Sequence, residues 1–311
     1  MVRVYSAAEV HAALPWAALA RALEAAFIAG AHVPLRHAHA LSADDTLLLM
    51  PAWNLRLIVL KLVTVIPSAG ATVQASLLVA DRASGEPLAL LDGEALTLRR
   101  TAATSALAAA RLARDDVDTL LIVGSGRLAG WMARAHSALR PGLRRVLVWG
   151  RRADAAAALA HTLACEGLPA AAAPELEAAT RAAGIVCCAT TSDAPLVRGT
   201  WLAPGSHLDL VGAFTPHMRE VDDTAVAHSR IVVDTYAGAI AEAGDLVQPL
   251  ANGTIRREHV LAELAELLRG ERVGRGGRDD ITLFKSVGTG LEDLAAAELV
   301  VGSGLGASAP H

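Results

Sequence analysis

No stretch of this 311-residue chain approaches the ~20 consecutive apolar residues that a membrane-spanning helix needs. The nearest, residues 55–66, is too short and carries Arg56 and Lys61. The opening residues, MVRVYSAAEVHAALPW, contain no uninterrupted apolar core of signal-peptide type. Together these absences predict no membrane partner and a cytoplasmic location. Lysine and arginine form no dense cluster and the formal net charge is -4, which argues against nucleic acid as a main partner. Cysteine is scarce: Cys165, Cys187 and Cys188, two of them adjacent, give neither a disulfide framework nor metal-ligand spacing. They read as small residues in a reducing compartment, and no metal is expected. The 11 histidines are scattered, and none has ligand spacing to another. No internal repeat is visible.

A chain of this length buries a sizeable core and divides more naturally into two lobes than one. Ser6-x-x-Glu9 is a capping box, and Pro15 opens a second helix running to about residue 29. Residues 46–50, 55–66, 73–80 and 88–91 have strand texture, with a turn at 82–87. Residues 95–112 read as a long helix without glycine or proline. From residue 119 apolar strands (120–123, 145–149, 185–189, 207–212, 231–234) alternate with helices (128–139, 153–164), which predicts an α/β fold with a parallel sheet covered on both faces. Residues 258–268 and 290–300 read as further helices, and 302–311 as a frayed tail. The expected division is a mixed α+β lobe, 1–115 with 288–311, and a doubly wound Rossmann-type domain, 116–287.

Inside that second lobe, LLIVGSGRLAG breaks into Gly124-x-Gly126-x-x-Ala129. The spacing brings a peptide backbone close to a pyrophosphate. Gly124 permits the tight turn after a buried strand, Gly126 has no side chain to hold phosphates away, and Ala129 lets the helix pack closely. The helix N-terminus then offers unpaired N–H groups to the anion. A glycine-rich turn with no ligand is the alternative, but the apolar strand before it and the alanine-rich helix after it favour a dinucleotide site. Gly124, Ser125, Gly126, Arg127 and Leu128 are the residues expected to cradle it. An acid about 20 residues further on would accept the ribose 2′-hydroxyl of NAD. Here the second strand is followed by Gly150-Arg151-Arg152, and no Asp or Glu occurs between Gly142 and Ala153. Arginine suits a 2′-phosphate, so NADPH is expected and NADH is the less favoured cofactor; a solvated arginine pair in a turn is the plain alternative.

Several segments, in order over residues 33–297, carry a further likeness. They are Pro34-x-Arg36, Met50-Pro51-Ala52, Lys61-Leu62-Val63-Thr64, Thr72-Val73-Gln74-Ala75-Ser76 and Gly85-Glu86-Pro87 through Asp92-Gly93. Arg99-Arg100-Thr101, Val211-Gly212-Ala213, Arg219-Glu220, Glu242-Ala243-Gly244-Asp245-Leu246 and Leu283-Phe284-Lys285-Ser286-Val287-Gly288 follow. Together they resemble the ornithine cyclodeaminase/mu-crystallin family. The resemblance implies a homodimer, a Rossmann lobe for the nucleotide, and a substrate carboxylate held by Arg36, Lys61 and Arg100. It places Thr190 and Thr191 under the nicotinamide ribose and Val287-Gly288 beside the nicotinamide amide. Lys61 sits in an otherwise apolar strand, where an unpartnered buried ammonium would be costly; the solvent face of an edge strand is the alternative. Arg99 is a built-in comparison, expected to point away from the site that Arg100 enters.

Ornithine cyclodeaminases carry an acid directly after Val-Gly-Ala; this chain has Phe214 there, followed by Thr215. Phenylalanine neither accepts a proton nor pairs with an ammonium, which speaks against cyclodeamination unless Glu220 or Asp222 substitutes. The sequence from Val211 to Glu220 is similar to the family's ketimine-reductase branch, which reduces Δ1-pyrroline-2-carboxylate and Δ1-piperideine-2-carboxylate. The resemblance therefore implies NADPH-dependent reduction of a small cyclic imino acid. Phe214 and Thr215 would wall the ring, Arg36 and Arg100 clamp the carboxylate, and Lys61 supply the nitrogen's proton or orient a water that does. Ornithine cyclodeamination, alanine-type amino-acid dehydrogenation, and an NADPH-gated small-ligand binding role like that of mu-crystallin are the alternatives.

Overall fold

A computed structural model describes residues 2–69 and 73–305. The chain divides into two units, Met1–Thr101 with Thr289–His311, and Ala102–Gly288. The first division falls within the helix that spans Gly93–Leu112.

The first unit is built on a six-stranded sheet. In chain order it contains β1 (Arg3–Tyr5), α1 (Ala7–Ala13), α2 (Trp16–Ala29), β2 (His37–Ala40), β3 (Thr46–Trp53), β4 (Leu57–Val65), β5 (Val73–Asp81), β6 (Pro87–Asp92) and the start of α3 (Gly93–Leu112). The strand order is β1-β6-β5-β4-β3-β2. All neighbours are antiparallel except β1 with β6. The capping box forms: the Ser6 hydroxyl accepts from Glu9 N, and the Glu9 carboxylate accepts from Ser6 N at 2.8 Å. Pro15 stands just outside α2 as its N-cap. The last helix, α11 (Gly290–Leu305), packs on α2, β3 and β4. It extends into the tail expected to fray; residues 306–311 lie outside the described residues, as does Thr72 of the family segment.

The second unit carries an eight-stranded, wholly parallel sheet. Its elements are β7 (Thr119–Val123), α4 (Arg127–Leu139), β8 (Arg145–Trp149), α5 (Ala153–Cys165), β9 (Ala170–Ala172), α6 (Leu176–Ala182), β10 (Ile185–Cys188) and β11 (His207–Leu210). They continue with α7 (Asp223–Ala227), β12 (Ser229–Val233), α8 (Tyr236–Glu242), α9 (Gly244–Ala251), β13 (Val260–Glu263), α10 (Leu264–Leu268) and β14 (Ile281–Lys285). The order is β13-β12-β14-β11-β10-β7-β8-β9. Every residue of β7 and β10 is buried, as both-face coverage of a parallel sheet requires. The helix expected over 258–268 is instead strand β13 followed by the short α10. Val260 and Ala262 are buried in parallel pairing with β12, so edge pairing takes precedence over a sequence that also suits a helix. Among the described residues no single helix is long and apolar enough to cross a membrane.

Candidate functional site

Strand order reverses around β7, which lies between β10 and β8. In open parallel sheets ligands bind beyond the carboxyl ends of the strands at such a point. Both loops that leave it are tied to β7 and its neighbour: Gly124 N donates to Trp149 O, and Ala189 N to Val123 O. Gly124 has φ +128°, and a Cβ there would stand 2.7 Å from the Ala189 carbonyl oxygen. Gly126 differs. It caps α4 in an extended conformation, and a Cβ added to it would meet nothing within 4 Å. Space is therefore open at the N-terminus of a 13-residue helix whose first turn has no acid. Those are the conditions a pyrophosphate needs, so the residues present fit a dinucleotide. Ser125 leans on Gly150, whose Cβ would lie 2.9 Å from the serine hydroxyl. Arg127 is exposed and Leu128 half-buried on the first turn of α4, while Arg151 and Arg152 are exposed beyond β8.

Buried acids hold the remaining loops of this unit. The Glu220 carboxylate accepts from Thr190 N at 2.7 Å and the Thr190 hydroxyl at 2.9 Å, and from Gly212 N at 2.8 Å and Ala213 N at 3.3 Å. Glu220 thus joins the loop after β10 to the loop after β11. Burial pushes its carboxyl up to about 7, with Lys285 pulling down and Asp245 pushing up. Asp245 accepts from Glu220 N at 2.8 Å and pairs at 3.1 Å with Lys285, both side chains fully buried. Asp234 accepts from Val287 N and Gly288 N, each at 2.8 Å, and so fixes the strand exit where the sequence placed a nicotinamide contact. Phe214 is 43 % exposed. Thr191 is exposed, and the half-buried Thr215 hydroxyl lies 3.2 Å from His217 Nδ1. Neither substitute acid is available: Glu220 is committed to four donors, and Asp222 caps α7 while accepting from Gly199 N at 2.8 Å.

In the first unit, Lys61 lies on β4, an interior strand, and is 2 % exposed, so the solvent-face alternative does not hold. Its ammonium is 2.7 Å from Asp293 Oδ2 and 2.9 Å from Oδ1. Arg100 Nε reaches Asp293 Oδ1 at 3.1 Å, and its Nη1 reaches Glu292 Oε2 at 2.6 Å. Burial lowers the Lys61 pKa to about 8, against the opposing pull of Asp293. At Arg100 burial works against the charge, but Glu292 and Asp293 outweigh it and hold the pKa above the usual arginine value. Burial likewise favours neutral Asp293, yet Lys61 and then Arg100 keep its carboxyl below the ordinary range. Arg99 takes another course: its guanidinium lies 3.8 Å over the Trp16 ring and donates to the Leu14 carbonyl. Arg36 is half-buried immediately before β2. Sequence reasoning missed Glu292 and Asp293. The available signal was two adjacent acids in the first turn of a largely apolar helix. It also missed how lysine is used: the chain has only two, Lys61 and Lys285, and each is buried against an aspartate.

Comparison with known proteins agrees with this geometry. A Δ1-pyrroline-2-carboxylate reductase of Paracoccus denitrificans is 41 % identical over 231 residues, covering 74 % of this chain and 72 % of the relative. One from Colwellia psychrerythraea is 32 % identical over 312 residues, covering 96 % and 98 %. The solved Thermococcus litoralis Δ1-pyrroline-2-carboxylate reductase, in complex with NADH and L-proline, superposes with TM-score 0.93 at 31 % identity, covering 99 % and 98 % of the two chains. An archaeal alanine dehydrogenase dimer with bound NAD gives 0.92 at 26 % identity, covering 100 % and 98 %. The profile of the ornithine cyclodeaminase/mu-crystallin family matches residues 1–307, and the chain belongs to that family.

Proposed function

We propose that this protein reduces a cyclic ketimine carboxylate with a nicotinamide cofactor, Δ1-pyrroline-2-carboxylate to L-proline first and the six-membered Δ1-piperideine-2-carboxylate to L-pipecolate second. The chain is an oxidoreductase of the class acting on C=N bonds. The observation that carries the choice of reaction is Phe214, which stands where cyclodeaminases have an acid, while Glu220 and Asp222 are both committed to backbone donors. A site without that carboxylate suits an imine with no amine left to deprotonate.

In this reading Arg36 and Arg100 hold the substrate carboxylate and Lys61 serves the imine nitrogen, directly or through a water. Phe214 and Thr215 wall the ring. Gly124, Ser125, Gly126, Arg127 and Leu128 cradle the pyrophosphate, and Thr190, Thr191, Val287 and Gly288 carry the nicotinamide end. When bound, the reduced nicotinamide supplies a hydride to the imine carbon. Arg151 and Arg152, with no Asp or Glu between Gly142 and Ala153, support NADPH over NADH. A homodimer is part of the proposal. Val4, Leu90 and Leu78 are cross-strand partners and Leu62 shares their face, all exposed, an apolar strip suited to a second copy. Three free thiols suit the cytoplasm.

A spectrophotometric panel tests this: NADPH and NADH against pyrroline-, piperideine- and thiazoline-type carboxylates, pyruvate with ammonia, and ornithine. Oxidation of NADPH with a cyclic ketimine, largely lost in Lys61→Ala and Arg100→Ala, is expected. Ammonia release from ornithine without net reduction would identify a cyclodeaminase, and ammonia-dependent reduction of pyruvate an alanine-type dehydrogenase. Tight NADPH binding without turnover of any imino acid would point to the binding role.

A further inference from the structure

Two cations side by side in an apolar interior repel each other, and each loses hydration. Lys61 and Arg100 come from different elements, β4 and α3, and a third element, α11, brings them together. The Asp293 carboxylate is fully buried and bridges the pair, with Oδ1 2.9 Å from the ammonium and 3.1 Å from Arg100 Nε. Glu292, the preceding residue, meets Arg100 through Nη1 at 2.6 Å. Among the described residues no acid accepts from Arg100 Nη2, so one nitrogen of the guanidinium remains for a substrate carboxylate. The charged groups acting on Lys61 are Asp293, Arg100 and Glu292; its register partners on β3 and β5 are Met50 and Leu77.

We propose that Asp293 is a positioning residue for the imine reduction. It holds the Lys61 ammonium fixed and protonated beside Arg100, so that Lys61 delivers the proton that the imine nitrogen needs. The step balances: the imine carbon gains the hydride, the nitrogen gains the Lys61 proton, and the neutral amine left on Lys61 is reprotonated from solvent. The inference rests on the ketimine-reductase reading. It adds a group that does not touch substrate and that nothing in the sequence placed near Lys61. Burial already lowers the Lys61 pKa to about 8, and Asp293 is the first of the groups that resist the fall. Without its charge the Lys61 pKa drops further, by at least about one unit for a lost contact ion pair.

The lysine content makes this directly measurable. Full-length protein labelled at lysine 13Cε gives two side-chain resonances, and the one missing from Lys61→Arg is that of Lys61. In Asp293→Asn the Lys61 titration is expected to move to lower pH by about one unit or more. The alkaline limb of kcat/KM for Δ1-pyrroline-2-carboxylate should move with it, so kcat/KM at pH 8 falls about fivefold or more. Glu292→Gln should raise KM through Arg100 with a smaller movement of either titration. A folded Asp293→Asn protein with an unmoved Lys61 titration overturns the proposal, because a merely structural carboxylate would lower thermal stability alone. Should that variant not fold, Asp293→Glu keeps the charge and displaces it. Lys61 should then titrate within half a unit of wild type while kcat falls severalfold, and unchanged kcat would overturn the positioning role. If wild-type protein reduces no imine, the reaction assignment fails, and the lysine titrations still decide what Asp293 does.

Discussion

Gly124 and Gly126 are two residues apart, yet their surroundings predict different losses when each becomes alanine. At Gly124 the added methyl meets two penalties. A φ of +128° lies where L-residues are strained, at a cost of about 1–3 kcal/mol. The new Cβ would also stand 2.7 Å from the Ala189 carbonyl oxygen, a backbone atom that no rotamer change can move. Overpacking of that kind adds about 1–3 kcal/mol. Gly124→Ala should therefore lose about 2–6 kcal/mol of stability and shift both loops at the sheet's switch point. At Gly126, φ is −79° and a Cβ meets nothing, so Gly126→Ala should change stability by less than about 1 kcal/mol, the range of an N-cap exchange. The methyl would nevertheless fill the open space proposed for the pyrophosphate against the helix. Loss of at least tenfold in nicotinamide nucleotide affinity is expected, which is about 1.4 kcal/mol. Denaturant unfolding without ligand and fluorescence titration with NADPH and NADH separate the two effects. A Gly126→Ala protein that binds either nucleotide as tightly as wild type would refute the placement of the phosphates.

Three further outcomes are expected. Glu220→Ala leaves four donors at the loops after β10 and β11 without their acceptor. At about 1–3 kcal/mol for each buried donor that water does not reach, stability should fall by several kcal/mol in urea unfolding. Asp209 is buried 2.9 Å from His136, and although burial favours its neutral form, the His136 hydrogen bond holds the pKa below the ordinary carboxylate value. Its contribution is therefore present above the unfolded pKa and disappears as pH falls through the lower folded value. Asp209→Ala should cost about 1–3 kcal/mol at pH 7 through the lost hydrogen bond to His136 and less in the acid range, read from unfolding curves across pH. Arg99→Ala removes the Trp16 contact and the bond to Leu14; it should lower stability by about 1–3 kcal/mol while leaving kcat/KM for the imino acid within about twofold. A loss of turnover matching that of Arg100→Ala would show that the two arginines share one role.

What could be read in advance follows the range over which each signal acts. The turn at Gly124–Gly126 is local: strand, glycines and helix start are contiguous, and backbone conformation sets their meaning before any tertiary contact forms. The alternation of apolar strands with helices is local too, and it is enough for a parallel sheet. The residues 258–268 show the limit. Their apolar positions satisfy a helix, and only the free edge of β12, nearly thirty residues away, turns Val260–Glu263 into a strand. Side-chain partnerships are worse still. Lys61 and Asp293 are separated by 232 positions, and Asp245 meets Lys285 across 40. An isolated acid has the same local preferences whether it is solvated or holds a buried ammonium. Composition nevertheless contained a clue: only two lysines among 28 basic residues. Guanidinium keeps its charge in almost any setting, whereas an ammonium loses its proton readily when buried. A protein that makes nearly every other cation arginine, and keeps Lys61 where burial brings its pKa to about 8, has placed its exchangeable proton beside a fixed positive charge. On the proposed reading an imine is held by its carboxylate and protonated at its nitrogen, which gives Arg100 and Lys61 different tasks. Lys61→Arg should accordingly retain substrate affinity far better than turnover.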